Sequence, residues 1–338
     1  MRDVAKQCSL HSVIFGVWRD GKAVATGALG AAYPGVPAEV ADHFRIGNNT
    51  EAMETTLLLQ LVEQGKISLD DKLSKWYPSL PRADEITVRM LASSTSGYVH
   101  YVNVPSFVDA YHANVFATWT PDQLIQIGTS QPMLFAPGTS WSFSDTNFVL
   151  LGEILRKVGG KPVSEQIQQR ILKPLQMRNT QMTTTAETPS PVLHGYTGER
   201  GVWEDATFWN PSWATHTGNM TSNLSDLEKW ATALGTGSLL SKSSRAQQMA
   251  PKTVGLGPLT EQFFYGLGVG VSNGWVFCAP GLEGYTGVVA YLPNTKTALV
   301  VFTTSTSDSP PGTHYAGAIF KAVAKIVAPS SLPIFPGA

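Results

Sequence analysis

Apolar positions near both ends of the chain fall in strand-like runs, and those of the middle recur at helical spacing. Ser12-Val13-Ile14-Phe15-Gly16-Val17-Trp18 is rich in β-branched and aromatic residues. Arg19-Asp20-Gly21-Lys22 follows with Asp-Gly at its centre, which predicts a hairpin with Ala23 to Ala31 as the return strand. A helix is predicted from Asn49 to Gln64, because Met53, Leu57, Leu58, Leu61 and Val62 lie on one face at helical spacing. The Asn48-Asn49-Thr50 run offers caps for its start, and Gly65 ends it. Further helices are predicted over 86–91, 121–128, 147–158 and 163–172. Strands are predicted over 265–271, 275–278, 287–292 and 298–304, and a last helix over 316–327. Strands at both ends with helices between them predict an α+β fold: one sheet built from both termini, with an inserted helical region.

The 338 residues are enough for a substantial core, and 43% hydrophobic with 14% charged is a globular composition. The net charge is -1 with no basic run, which argues against a nucleic-acid partner. No stretch approaches the ~20 apolar residues of a membrane span, so no membrane partner is expected. The start, MRDVAKQCSLHS, lacks an apolar run followed by a small-residue cleavage site. A cytoplasmic location is therefore expected, with a trimmed secreted chain as the alternative. Cys8 and Cys278 are far apart in sequence and are expected to be free thiols. H-E-x-x-H, G-x-S-x-G and phosphate-loop patterns are missing, so no metal and no cofactor are expected. Oligomeric state is not encoded in any pattern found.

Five segments, in order, resemble blocks of the serine β-lactamase-like and penicillin-binding-protein superfamily, which includes class C β-lactamases, D-alanyl-D-alanine carboxypeptidases and related esterases. They are Phe44-Arg45-Ile46-Gly47 with the helix after it, Ile86 to Leu91 with Thr95-Ser96-Gly97, Pro137 to Phe148, Gly218 to Trp230, and Gly284 to Pro293. The resemblance spans about 12–327. It implies an antiparallel sheet with helices on both faces plus a mainly helical domain. On that reading 1–85 and 215–338 form the sheet domain and 86–214 the helical one, with the active-site cleft between them.

The motifs that carry the family's chemistry are altered. In S-x-x-K the serine attacks a carbonyl and the lysine helps take its proton. Asn48 and Glu51 stand at those positions. The tyrosine motif reads Phe143-Ser144-Asp145, so the phenol is gone and a carboxylate replaces an amide. The third motif aligns with Cys278-Ala279-Pro280, without its His or Lys. Acyl-enzyme chemistry by the family route is not expected.

Glu51 and Asp145 should face one cleft, where two carboxyls push each other's pKa apart and divide acid and base roles. Asn48 could hold a carbonyl or hydroxyl with its amide. These three are the candidate catalytic residues. The bland reading is that Asn48 and Glu51 simply suit a helix start and that Asp145 caps the next helix. Candidate substrate contacts are Phe143, Ser144, Tyr98, His100, Trp209, Trp213, His216, Cys278 and Tyr285. Trp203 and Phe208 could extend an aromatic wall with Trp209 and Trp213. Three functions fit: a repurposed enzyme doing non-covalent acid–base chemistry (cyclisation, isomerisation, dehydration or hydrolysis) on a small organic substrate, in specialised metabolism; a silent relative that binds a ligand or partner; and a residual esterase or hydrolase using Ser144 or Ser94.

Overall fold

The computed structural model describes residues 2–309 and 313–334. The main sheet is antiparallel and runs Val36–Pro37, Lys22–Tyr33, Leu10–Arg19, Thr297–Ser305, Tyr285–Leu292, Trp275–Cys278, Gly270–Ser272, Phe263–Tyr265. Gly281–Leu282 adds a short strand beside Tyr285–Leu292. The two ends of the chain meet in the middle of this order, where Ile14 lies opposite Phe302 and Val17 opposite Leu299. The predicted hairpin turn falls at Asp20-Gly21, both with positive φ, as a two-residue turn of this handedness requires.

Both faces of the central strands are covered. Neighbouring side chains on a strand point to opposite faces. Val13, Val17, Leu299 and Val301 therefore pack on Ile319 and Phe320 of the helix Tyr315–Val327. Ile14, Val300 and Phe302 point the other way, into a larger core with Leu57, Phe148 and Trp230. Each such buried apolar side chain contributes about 1.5–3 kcal/mol relative to exposure. Among the described residues, no helix is long and apolar enough to cross a membrane.

The helix Asn49–Glu63 lies at the heart of the larger core. Its apolar face follows the predicted spacing, but its polar face is buried as well: Thr50, Glu51, Glu54 and Thr55 are all enclosed. Burying that much polarity on one helix costs free energy unless partners are near, and the neighbours of Glu51 and Glu54 make up the site.

Several local expectations are corrected. The Asn48 side chain caps nothing, and the Asn49 amide donates back to the Ile46 carbonyl at 2.7 Å. The strand expected over 265–271 is two strands, Phe263–Tyr265 and Gly270–Ser272, paired as a hairpin. Between them Gly268 takes φ +68° and lies so close to Thr55 and the Glu51 carbonyl that a Cβ has no room. The predicted 163–172 helix is α-helical over Val163–Ile167 and widens to π over Gln168–Leu172. Helices at Pro105–Ala113 and Lys242–Gln248 were not in the predicted set. Cys8 and Cys278 are free thiols.

Candidate active site

A cavity of about 360 Å³ opens at the start of the Asn49–Glu63 helix, a size within the ~300–1,000 Å³ typical of small-molecule sites. Asn48 and Glu51 line it from that helix, and Asp145 lines it from the first turn of the helix Asp145–Gly159. Two helix N-termini thus converge on one corner, and each brings a carboxylate into its own first turn, where the partial positive charge of the helix end steadies an anion.

Neither capping explanation accounts for these residues. Ser144, not Asp145, holds the N-cap position of the second helix, and it makes no side-chain cap bond. Asp145 instead donates its backbone N–H to Nδ1 of His100 at 3.1 Å. That bond requires a lone pair on Nδ1 and so places the imidazole proton on Nε2. The Thr217 side chain lies beside the Asp145 carboxyl and favours its ionised form.

Glu51 is 1% exposed, and among the described residues neither of its carboxyl oxygens has a hydrogen-bond partner of ordinary geometry. The Asp145 carboxyl and the Tyr265 phenol lie beside it and act on its charge. Burial, then the neighbouring Asp145, pushes the Glu51 carboxyl well above the usual carboxylate range. Burial raises Asp145 too, partly offset by His100, Glu51 and Thr217. The offsets favour a neutral Glu51 beside an ionised Asp145. Within a coupled pair the proton belongs to both. The Asn48 Oδ1 is likewise buried and unpartnered among the described residues.

The rest of the wall is largely aromatic. Trp141, Phe143, Trp213, Phe263, Tyr265 and Phe277 line it. Phe143 meets Tyr265 edge-on at 6.5 Å between ring centres, and Trp141 lies 5.6 Å from the same ring. Cys278 faces the cavity, but burial and then the charge of Glu51 push its thiol up, so it stays protonated at neutral pH. Its environment is the opposite of the electropositive surroundings that make a thiolate.

Of the expected contacts, Asn48, Glu51, His100, Phe143, Asp145, Trp213 and Cys278 line the cavity. Five others do not. Tyr98 donates its hydroxyl to the Pro81 carbonyl at 2.7 Å, and Tyr285 donates its own to the Leu193 carbonyl at 2.6 Å. Ser144 is fully buried at its helix start. Trp209 is buried away from the opening, and its carbonyl accepts from Arg45 at 2.9 Å. His216 takes φ +66°, which turns its ring behind the wall onto Glu54 and Glu153. Ser94, the other candidate nucleophile, is also fully buried and does not line the cavity. Trp203 and Phe208 are exposed elsewhere.

Sequence reasoning missed Tyr265, Trp141 and Thr217. Thr217 follows His216 directly, and the turn that withdraws the histidine delivers the threonine. Tyr265 ends a Phe-Phe-Tyr run before Gly266-Leu267-Gly268, a breaker pattern that marks a strand end where side chains leave the regular alternation.

The family model described as Beta-lactamase matches residues 1–324. The chain is 27% identical over 259 residues to the D-alanyl-D-alanine-carboxypeptidase/endopeptidase AmpH of Escherichia coli (strain K12), covering 72% of this chain and 63% of that protein. It spans about three-fifths of the length of the first curated relatives it matches. Among solved structures, a D-stereospecific amidohydrolase from Streptomyces sp. superposes with a TM-score of 0.83 at 29% identity, over 97% of this chain and 99% of that one. The D-amino acid amidase from Ochrobactrum anthropi SV3, complexed with L-phenylalanine, also gives 0.83, at 22% identity over 96% and 95% of the two chains.

Proposed function

The chain belongs to the beta-lactamase family, and from that premise we propose that its cavity carries out non-covalent acid–base chemistry on a small organic molecule in place of acyl transfer. The observation that carries this reading is the buried pair Glu51 and Asp145, side by side in the lining of a cavity of substrate size.

Two adjoining carboxyls of unequal basicity suit proton transfer in both directions. Glu51, held neutral by burial, delivers a proton to a substrate oxygen or nitrogen. Asp145, ionised, removes one from carbon or a hydroxyl. In an isomerisation or cyclisation one proton arrives and one leaves, and the pair resets by passing the proton from Asp145 back to Glu51. In a dehydration the leaving hydroxyl departs as water with the proton from Glu51. Asn48 orients the reacting group through its amide, and the aromatic wall keeps bulk water away from the pair.

The relatives are hydrolases by name, which supports a reaction at a carbonyl-like centre. The groups of this cavity do not favour their covalent route. Asn48 offers no nucleophile, Phe143 has no hydroxyl, and the Cys278 thiol stays protonated. A silent, ligand-binding protein is the competing reading. Native mass spectrometry of the protein after exposure to a fractionated metabolite extract would identify a bound molecule. Turnover of that molecule should then fall at least about a hundredfold in Glu51→Gln and in Asp145→Asn, the scale of a positioned acid or base. Binding without turnover would support the silent relative, and turnover unaffected by both changes would remove the acid–base reading.

A further inference from the structure

We infer that the occupant of this cavity is an organic cation, a positively charged nitrogen carried on an apolar or aromatic body. The inference rests on the reading of the cavity as a small-molecule site and names the class of molecule.

Charge is the first ground. Glu51 and Asp145 line the cavity, and among the described residues no lysine or arginine does. His100 also lines the cavity, and its Nδ1 accepts the Asp145 N–H, so that nitrogen carries no proton in this arrangement. His216 is bound behind the wall by Glu54 and Glu153. The helix ends that steady Asp145 supply partial charge only, so no full positive charge has to be displaced when a cation enters.

The wall is the second ground. Trp141, Phe143, Trp213, Phe263, Tyr265 and Phe277 surround the carboxyl corner. Ring faces carry negative potential and attract cations, most strongly where water is excluded. A neutral apolar guest would gain contact with the rings but leave the carboxyl pair desolvated and unpaired. An anion would face both carboxyls. A cation satisfies the rings and the pair together.

The unpartnered atoms are the third ground. Both Glu51 oxygens are buried without a hydrogen-bond partner of ordinary geometry among the described residues, and Glu51 is one of the residues that line the cavity. Such atoms call for a partner that arrives with the ligand.

Proton linkage follows. The groups facing the pair are Glu54 on the same helix, His100 and Tyr101 on the loop beside it, and Tyr265 and Cys278 on the strand edges. Burial keeps both phenols and the thiol neutral at ordinary pH. Acidification therefore adds protons to the carboxyl pair, and each such step weakens cation binding.

Trp141 and Trp213 lie in the wall, so tryptophan fluorescence reports occupancy. The probes are phenyltrimethylammonium, its neutral isostere tert-butylbenzene, and benzoate. Phenyltrimethylammonium should bind at least about tenfold more tightly than tert-butylbenzene, since only the cation gains from the desolvated ring faces and the carboxyl pair. Benzoate should not bind. The quaternary probe does not titrate, so its loss of affinity toward acid pH reports the protein alone, and Asp145→Asn should weaken binding and flatten that dependence. Equal or tighter binding of tert-butylbenzene or benzoate, or no binding of the cation, overturns the inference. These outcomes are separable from failure of the acid–base reading. A neutral substrate whose turnover needs Glu51 defeats the cation inference alone. Selective cation binding with turnover indifferent to both carboxyls defeats the acid–base reading alone.

Discussion

Nδ1 of His216 stands 2.8 Å from Oε1 of Glu54, one turn along the helix from Glu51. On the other side of the ring, Nε2 lies 3.4 Å from Oε1 of Glu153. With a carboxyl at each nitrogen, the doubly protonated ring is the form that satisfies both. Burial alone would lower the His216 pKa, but the charge of Glu54 and the bonds to Glu153 and Glu54 raise it to about 9. Glu153 would be raised by burial, yet His216 and Arg156 hold it down to about 2. Glu54 lacks a second cation, and its burial outweighs His216, so it is raised. For His216 the folded pKa lies above the ordinary 6.5. Its contribution is therefore fully present below that value and is lost as pH rises through about 9. Thermal melts should owe no pH dependence to this group below 6.5 and should fall between there and about 9. His216→Asn should remove this fall and cost about 3–5 kcal/mol, the penalty for stripping a buried pair of its partner. A wild-type melting temperature indifferent to pH through that range would contradict the imidazolium.

The same histidine explains Gly152. A Cβ there would collide with the His216 ring. Gly152→Ala should cost about 1–3 kcal/mol through overpacking. Because the displaced ring loses Glu54 and Glu153, the variant should also lose the alkaline dependence of its melting temperature. Chemical denaturation at neutral pH together with melts across the alkaline range would check both. An alanine variant with unchanged stability and an unchanged alkaline profile would show that the ring packs elsewhere.

The reach of the sequence follows from the range over which each feature is determined. The Asp20-Gly21 turn and the Leu57-Leu58-Leu61 face are local, and period and turn chemistry report them directly. Asn48, Glu51, Phe143 and Asp145 were legible as cavity positions because the surrounding blocks keep their order. Tyr265, Trp141 and Thr217 were not, since strand pairing and loop crossing bring them to the cavity and no periodicity records that. His216 was misplaced for a similar reason: a positive φ at a non-glycine residue reverses where its side chain goes, and composition does not announce it. Tyr98 and Tyr285 were taken for ligand contacts, but a buried phenol needs an acceptor, and each finds a backbone carbonyl instead.

The carboxyl pair should cost stability, as working sites commonly do. Glu51 is raised well above its ordinary value of 4.5 by burial and Asp145, so the folded state binds its proton more tightly than the unfolded chain. Stability from this group is fully present below 4.5 and declines as pH rises toward the folded value. Glu51→Gln holds a neutral side chain at every pH. Its melting temperature relative to wild type should therefore climb as pH rises from about 4.5 toward neutrality. Asp145→Asn removes the like charge and should also melt higher at neutral pH, by about 2–4 °C for each kcal/mol relieved. A wild-type advantage that grows with pH would mean that the two carboxyls are mutually stabilised in a way their surroundings do not provide.

Covalent probes test directly whether the cavity carries out acyl transfer. Asn48 has no nucleophilic oxygen, and Ser94 and Ser144 are fully buried with unpartnered hydroxyls among the described residues. Neither hydroxyl borders the cavity, and neither has a base in hydrogen-bonding reach. The Cys278 thiol is held protonated by burial and by Glu51. Penicillin G and a fluorophosphonate should therefore leave the intact mass unchanged after prolonged incubation. Asn48→Ser with Glu51→Lys restores a hydroxyl and an amine, and the new ammonium would pair with Asp145. Phe143 still supplies no hydroxyl beside them, so proton removal from the serine remains poor and labelling should stay slow. Adding Phe143→Tyr should raise the labelling rate of that double variant, by about ten- to a hundredfold on the scale of one positioned proton carrier. Stoichiometric labelling of the unaltered protein at any serine or at Cys278 would show that the cavity kept a nucleophile, and the reading of the carboxyl pair as the reacting groups would then fail.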